Sequence, residues 1–258
     1  MRFILLLLVI ILNNFSTIYA NDLPYQFKDV GVVNTIGVSI EQDIYFTDEF
    51  DKTVNIKDLI NNKPTIINFV YLNCPLLCHL LLDGMTDVIM QSKYKIPEDY
   101  QVISISIDPR ETNENLKNYK KKYHSKLKIN NGWLFLKGRE PQIEKLTSIL
   151  GYNYKYISRT KDYSHPSVIY FYNKKLNNYI EGITFNLNAF NYSLINSKVN
   201  KTIGEKIITY CYYFDPDSQT YSLLIFKILR ILCLITVIIL TCMIIYFLRK
   251  EKQQRNYG

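Results

Sequence analysis

Apolar and polar positions along this chain change period several times, and each change marks an element. Residues Phe3 to Leu12 are an unbroken apolar run behind Arg2, and polar residues then lead to Ile18-Tyr19-Ala20 before Asn21. Ten apolar residues fall short of a bilayer span, and a small residue closes the segment, so the pattern predicts a signal peptide over 1–20 with cleavage after Ala20. An uncleaved anchor or a buried helix is the alternative. Further on, Ile44 to Phe46 and Thr53 to Ile56 flank a turn over Asp48 to Lys52 and predict a hairpin. Pro64 to Leu72 (PTIINFVYL) is apolar on both faces, the pattern of a central strand covered on both sides.

From Pro75 the period becomes helical. Leu76, Leu77, Leu80, Leu81, Met85, Val88 and Ile89 form an apolar face, and His79, Asp83, Asp87 and Gln91 form a polar stripe. The chain then predicts a strand (102–107), a charged helix (112–123), a strand (133–136), a helix (141–150), two strands (167–172 and 178–183) and a helix (187–195). Strands alternating with helices predict α/β layering in one exported domain, residues 21–222. No repeat or low-complexity linker divides it.

Near the C-terminus, Ile231 to Leu248 carries no charge and is interrupted only by Thr236 and Thr241, which a helix accommodates by bonding them to its own carbonyls. At 1.5 Å per residue this run reaches roughly 27 Å, so residues 223–248 are expected to cross a membrane. Residues 249–258 follow as a basic tail, which the positive-inside rule assigns to the cytoplasm. The formal net charge of +8 now reads differently. Setting aside Arg2, Lys227, Arg230 and the tail's four positive and one negative charges leaves 24 basic and 22 acidic residues in 21–222. The basic excess follows membrane topology, and nucleic-acid binding loses its support.

Five cysteines are present, and two of them, Cys74 and Cys78, fall where the buried strand hands over to the helix. A helix N-terminus presents free N–H groups and the positive end of the dipole, which favour the thiolate that attacks disulfides or binds metal. Pro75 suits a first helical turn. The spacing is C-x-x-x-C, one residue longer than the redox dithiol C-x-x-C. Such a pair can close a disulfide, or it can offer two thiolates to one soft ion, for which Cu(I) with a single imidazole is the best first-row match. A structural disulfide in an exported protein is the plain alternative. Three histidines are available as a third ligand. His79 falls on the polar stripe and reads as a solvated surface residue. His124 ends a lysine-rich helix, where the dipole accounts for it. His165 precedes a predicted central strand in Asp162-Tyr163-Ser164-His165-Pro166.

These residues carry a resemblance. The chain is similar to the Sco/SenC family of copper chaperones for cytochrome c oxidase. The matching features are Cys74-Pro75-Leu76-Leu77-Cys78 after a strand, Ser106-Ile107-Asp108-Pro109-Arg110-Glu111-Thr112, Gly132-Trp133-Leu134-Phe135-Leu136-Lys137-Gly138, and the single His165 before a strand. It resembles in particular a bacterial branch with a signal peptide and a C-terminal membrane helix, in which a motif like Tyr210-Cys211-Tyr212-Tyr213-Phe214-Asp215-Pro216 precedes the anchor. The resemblance implies a thioredoxin-like fold with an added N-terminal β-hairpin. It implies copper, as Cu(I) or Cu(II), on Cys74, Cys78 and His165, and the copper site of cytochrome c oxidase subunit II as recipient. It implies a single-pass protein of the bacterial cytoplasmic membrane with its domain on the outer side. Two departures from the commonest family pattern are His79 after the second cysteine and Pro166 after the histidine.

Asp108 is expected either beside the metal or in partner docking, or else as a cap or turn residue. Cys211 is an accessory copper ligand, a reactive thiol or an unpaired juxtamembrane cysteine. Trp133 reads as packing, and Cys233 and Cys242 as small apolar residues of the membrane helix. The rival activity is a thiol–disulfide oxidoreductase in which Cys74 attacks and Cys78 resolves, preparing the cysteines of the same oxidase subunit. A peroxiredoxin-like site is disfavoured because Tyr71, and not Ser or Thr, stands three residues before Cys74. A purely structural adhesive domain is disfavoured by the thiolate-ready pair.

Overall fold

The structure is a computed structural model that describes residues 29–60, 63–72, 77–198, 200–206, 212–215 and 220–255. The expected signal peptide, Cys74 and Cys211 lie outside the described residues, as does the side chain of Cys78. The apolar run behind Pro64 forms strand β4 (Thr65–Val70), with all six residues buried. It lies at the centre of a five-stranded sheet. Strands β5 (Gln101–Ser106) and β6 (Trp133–Leu136) continue parallel on one side; on the other, β10 (Val168–Asn173) pairs antiparallel with β4 and β11 (Lys175–Glu181) antiparallel with β10, giving the order β11-β10-β4-β5-β6.

Period-2 alternation divides the side chains of this sheet between two cores. Ile66, Val70, Val102, Ile169 and Phe171 meet helices α2 (Leu77–Gln91), α3 (Asn113–Leu127) and α5 (Leu187–Ser197) on one face. Ile67, Phe69, Ile103, Ile105 and Tyr170 meet α1 (Ile56–Ile60), α4 (Glu140–Ile149) and the N-terminal hairpin on the other. The expected apolar face of α2 supplies Leu81, Met85, Val88 and Ile89 to the first core, all buried; Leu82 joins them, while Leu80 of that face is exposed. Burial of this kind is worth about 1.5–3 kcal/mol per side chain. Gly84 lets the helix come closer still, because a Cβ there would collide with the Ile183 carbonyl oxygen.

The N-terminal hairpin forms as expected from β2 (Tyr45–Thr47) and β3 (Thr53–Asn55), and Thr47 exchanges backbone hydrogen bonds with Lys137 at the end of β6. Helix α3 starts on Thr112, whose side chain accepts from Asn115 N, and ends on Lys128 in the left-handed region at φ 55°. Small pairings also form that the sequence pattern does not predict. Strand β1 (Gly31–Val32) pairs with β7 (Tyr152–Asn153), and β8 (Lys155–Ile157) forms a hairpin with β9 (Asp162–Ser164).

A chain of polar groups is sealed inside the first core. Ser104 Oγ donates to Asn68 Oδ1 at 2.8 Å and accepts from Trp133 Nε1 at 2.9 Å, and all three residues are inaccessible to solvent. Trp133 is therefore core packing, stacked on Tyr123 and Phe135.

Beyond a short pairing of β12 (Tyr212–Asp215) with β13 (Thr220–Leu223), the chain continues as one helix, α6 (Leu224–Arg255). Its side chains are described from Ile231 to Tyr246, where every residue is exposed. Thr236 and Thr241 donate to the Cys233 and Val237 carbonyls, as expected for hydroxyls in an apolar helix. Among the described residues, no helix is long and apolar enough to cross a membrane.

Candidate metal centre

Parallel strands β4 and β5 end side by side, with Ile107 N donating to Val70 O at 2.8 Å, so the residues that follow each strand emerge together. Tyr71 leaves β4 and Asp108 leaves β5. Asp108 is buried, and Arg110 folds back over it. Arg110 Nε reaches Oδ1 at 2.8 Å, Nη2 reaches Oδ2 at 3.0 Å, and the Arg110 backbone N–H adds a third bond at 3.0 Å. This two-pronged pairing raises the pKa of the guanidinium, first through the hydrogen bonds to Asp108 and then through its charge. Behind it, the buried carboxylate of Glu111 accepts from Ser106 Oγ, Thr112 N and Asn115 Nδ2, which ties the turn after β5 to the first turn of α3. Asp108 is thus a turn residue whose Oδ1 accepts from the N–H two positions on, and it caps no helix, since Thr112 opens α3. It is the acceptor that fixes an exposed cation at the mouth of the sheet.

The β8–β9 hairpin lies over this mouth through aromatic contacts. Tyr163 packs edge-on against Tyr71 with ring centroids 5.2 Å apart, and Tyr156 lies 5.1 Å from Tyr163 and beneath the Arg110 guanidinium. Burial raises the Tyr71 phenol pKa, with the Asp162 and Asp108 charges adding to it, and Tyr163 is raised by burial and then by Asp108. Both phenols stay protonated at neutral pH and act as packing and hydrogen-bonding groups.

His165 follows β9 directly and is half-buried. Its Nδ1 lies 3.1 Å from the Pro166 carbonyl oxygen, which also accepts from Tyr152 O–H at 3.1 Å. A carbonyl can only accept, so Nδ1 carries the hydrogen and Nε2 is the ring's lone-pair nitrogen. Tyr152 in turn packs on Phe69 of β4 at 4.6 Å, which anchors the Pro166 carbonyl to the central strand. A histidine whose N–H is held by a backbone carbonyl and whose other nitrogen has its lone pair is the usual form of an imidazole ligand. The Pro166 departure thus costs the imidazole no hydrogen-bond partner, since the proline carbonyl is the group that sets its tautomer.

Of the expected donors, the structure describes the side chain of His165 alone, and no group of three histidine, cysteine, aspartate or glutamate residues suited to a metal occurs among the described residues. The other two histidines are both tied into the protein. His124 is buried, with Nε2 2.8 Å from the Trp133 carbonyl oxygen. His79 differs from the expected solvated residue. It is half-buried, stacked on Tyr119 at 5.4 Å, with Nε2 3.1 Å from the Tyr119 hydroxyl. The polar stripe on α2 predicts solvent exposure there, but Tyr119 of α3 covers the imidazole.

A family model described as SCO1/SenC matches residues 36–188, a span that includes Cys74, Cys78, Asp108 and His165. The chain belongs to the SCO1/SenC family. Solved structures agree on the fold. A putative electron transfer protein from Aquifex aeolicus VF5 superposes with a TM-score of 0.57 at 22% identity, over 66% of this chain and 98% of that chain. A SCO1/SenC family lipoprotein from Bacillus anthracis str. Ames gives 0.54 at 19% identity, over 62% and 95%. BsSco, described as a member of the Sco family of cytochrome c oxidase assembly proteins with a disulfide switch, gives 0.50 at 19% identity, over 64% and 96%. No curated protein matches the chain. The SCO1/SenC match ends before Cys211 and helix α6. In this Sco-type sheet, the sequence reading missed Arg110 and the tyrosines of the β8–β9 hairpin. Arg110 stands two residues after Asp108, close enough to signal a local ion pair. Tyr156 and Tyr163 offer no comparable signal, because their contact depends on a hairpin too short to show a period.

Proposed function

We propose that the protein is a membrane-tethered copper metallochaperone. Cys74, Cys78 and His165 hold one copper ion as cargo, and thiolate exchange passes it to the dinuclear copper site of cytochrome c oxidase subunit II. The observation that carries the reading is the imidazole of His165, its Nδ1 hydrogen engaged by Pro166 and its lone pair on Nε2, on a hairpin that packs against the strand leading to Cys74. Membership of the SCO1/SenC family supports copper and oxidase assembly as the setting, and BsSco is described as a cytochrome c oxidase assembly protein. Two thiolates and one imidazole suit copper better than zinc, which takes a fourth ligand. Residues 1–20 act as signal peptide, 21–222 as the exported domain, 223–248 as the membrane helix and 249–258 as the cytoplasmic tail. The uncharged run 231–248 and its basic flank support that topology. Cys211 is then a thiol close to the membrane surface.

Titration of the reduced full chain in detergent with copper tests this. One ion per chain is expected, with binding lost in Cys74→Ser and Cys78→Ser and weakened in His165→Ala. Copper binding that survives all three substitutions refutes the ligand set. The disulfide switch described for BsSco favours a second reading, in which the same cysteine pair also exchanges disulfides with the oxidase subunit. That activity would be abolished by either cysteine substitution and spared by His165→Ala.

A further inference from the structure

The two chain positions that bracket the cysteine segment are joined through one side chain on a different helix. Leu72 is the last described residue before Cys74, and His79 is the first residue after Cys78. The Tyr119 hydroxyl on α3 donates to the Leu72 carbonyl at 2.6 Å and lies 3.1 Å from His79 Nε2. A tyrosine hydroxyl has one hydrogen and the Leu72 carbonyl can only accept, so that hydrogen is committed to Leu72. The contact with His79 is then satisfied only if Nε2 carries a hydrogen and donates it to the phenolic oxygen. One oxygen thus ties strand exit to helix entry. Its ring is held in place by the His79 stack and by Tyr123 and Phe135, with centroids 6.2 and 6.4 Å away.

We propose that Tyr119 is a positioning residue that acts through Leu72 and His79 to fix the separation of the two ends of the 73–78 segment, and so restrains the Cys74 and Cys78 thiols before copper arrives. This rests on the copper reading above. The role of His79 in this arrangement is to donate from Nε2. Restraining a ligand segment in advance removes part of the ordering cost of binding, which otherwise weakens affinity.

The full chain in detergent, reduced and metal-free, gives two readouts. Chelator competition measures Cu(I) retention, and mass spectrometry follows iodoacetamide alkylation of the peptide carrying Cys74 and Cys78. Tyr119→Phe keeps the ring and removes the shared oxygen. It is expected to bind Cu(I) about tenfold more weakly, equivalent to about 1.4 kcal/mol, and to alkylate several-fold faster. His79→Gln places an amide N–H near Nε2 and should behave like the parent chain, whereas His79→Leu should match Tyr119→Phe. That rescue separates a donor role from general packing and keeps the proposal testable if Tyr119→Phe folds poorly. Parent-like retention and alkylation in Tyr119→Phe would overturn the proposal. So would equal defects in the Gln and Leu variants at position 79. If the parent chain holds no copper, the ligand reading fails, and the alkylation rates still decide the role of Tyr119.

Discussion

Substituting Ser104 by Ala should be costly out of proportion to the single oxygen removed. The hydroxyl lies between two groups that have no solvent to turn to, Trp133 Nε1–H at 2.9 Å and Asn68 Oδ1 at 2.8 Å. Alanine leaves both unpaired, beside an Asn68 Nδ2 that already has no hydrogen-bond partner. A buried polar group stripped of its partner costs about 1–3 kcal/mol, so two give roughly 3 kcal/mol, with a small further contribution from the void. For a domain of this size that corresponds to a fall in melting temperature of about 6–12 °C. Guanidinium unfolding followed by far-ultraviolet circular dichroism measures the loss. Trp133 is the sole tryptophan, so an emission shift in the folded variant reports its indole directly. The double variant Ser104→Ala/Trp133→Phe has no indole N–H to orphan and should be more stable than the sum of the single effects by about 1–2 kcal/mol. A loss below about 0.5 kcal/mol in Ser104→Ala, or strict additivity in the double variant, would refute the reasoning.

Other expected outcomes concern the mouth of the sheet and the chain's periphery. Asp108→Asn should cost about 1–2 kcal/mol by chemical denaturation, at the low end for a buried carboxylate because Arg110 is largely exposed and its charge is screened. The same change should let Tyr71 and Tyr163 ionise at lower pH, visible in an alkaline ultraviolet titration, because the Asp108 charge helps raise both. Burial alone would raise the pKa of Glu205, but the Thr202 N–H and the Lys198 ammonium hold it down at about 2 from an ordinary 4.5. A lowered folded pKa stabilises above the unfolded value, so this contribution of about 1–3 kcal/mol is complete above pH 5 and fades as pH falls from 4.5 towards 2. Glu205→Gln should remove that slope from the stability–pH curve between those limits. Lys128→Gly should raise stability by about 0.5–1 kcal/mol in thermal unfolding, because the residue ends α3 in a left-handed conformation that lysine adopts at a cost.

The sequence was most legible where many residues repeat one instruction. The run behind Pro64 announced a strand covered on both faces, and β4 lies between β5 and β10 with cores on either side. Thr112 was read as the start of a charged helix and caps it. Boundaries moved where local chemistry outvoted the period: Ile56 was expected to end the hairpin but opens helix α1. The centre itself was legible only as a set of residue types. His165 stood out as a candidate, yet its tautomer depends on a carbonyl held from β7 by Tyr152, a relation no spacing reveals. The α2 pattern alone points His79 to solvent, while the residue that covers it comes from α3, forty positions away.

Gly84 limits how this fold can diverge. A side chain at that position would meet the main chain at Ile183, and a main-chain carbonyl cannot be traded for a smaller group. Change at position 84 must therefore be accompanied by a rebuilt connection after β11, in length or in path. Among distant relatives these two places should vary together, glycine with the short return and a larger residue with a displaced one. The spacing between the cysteine-bearing helix and the edge of the sheet is thus inherited as a pair of sites, and an alignment that finds them changing independently would identify lineages in which the helix has already shifted.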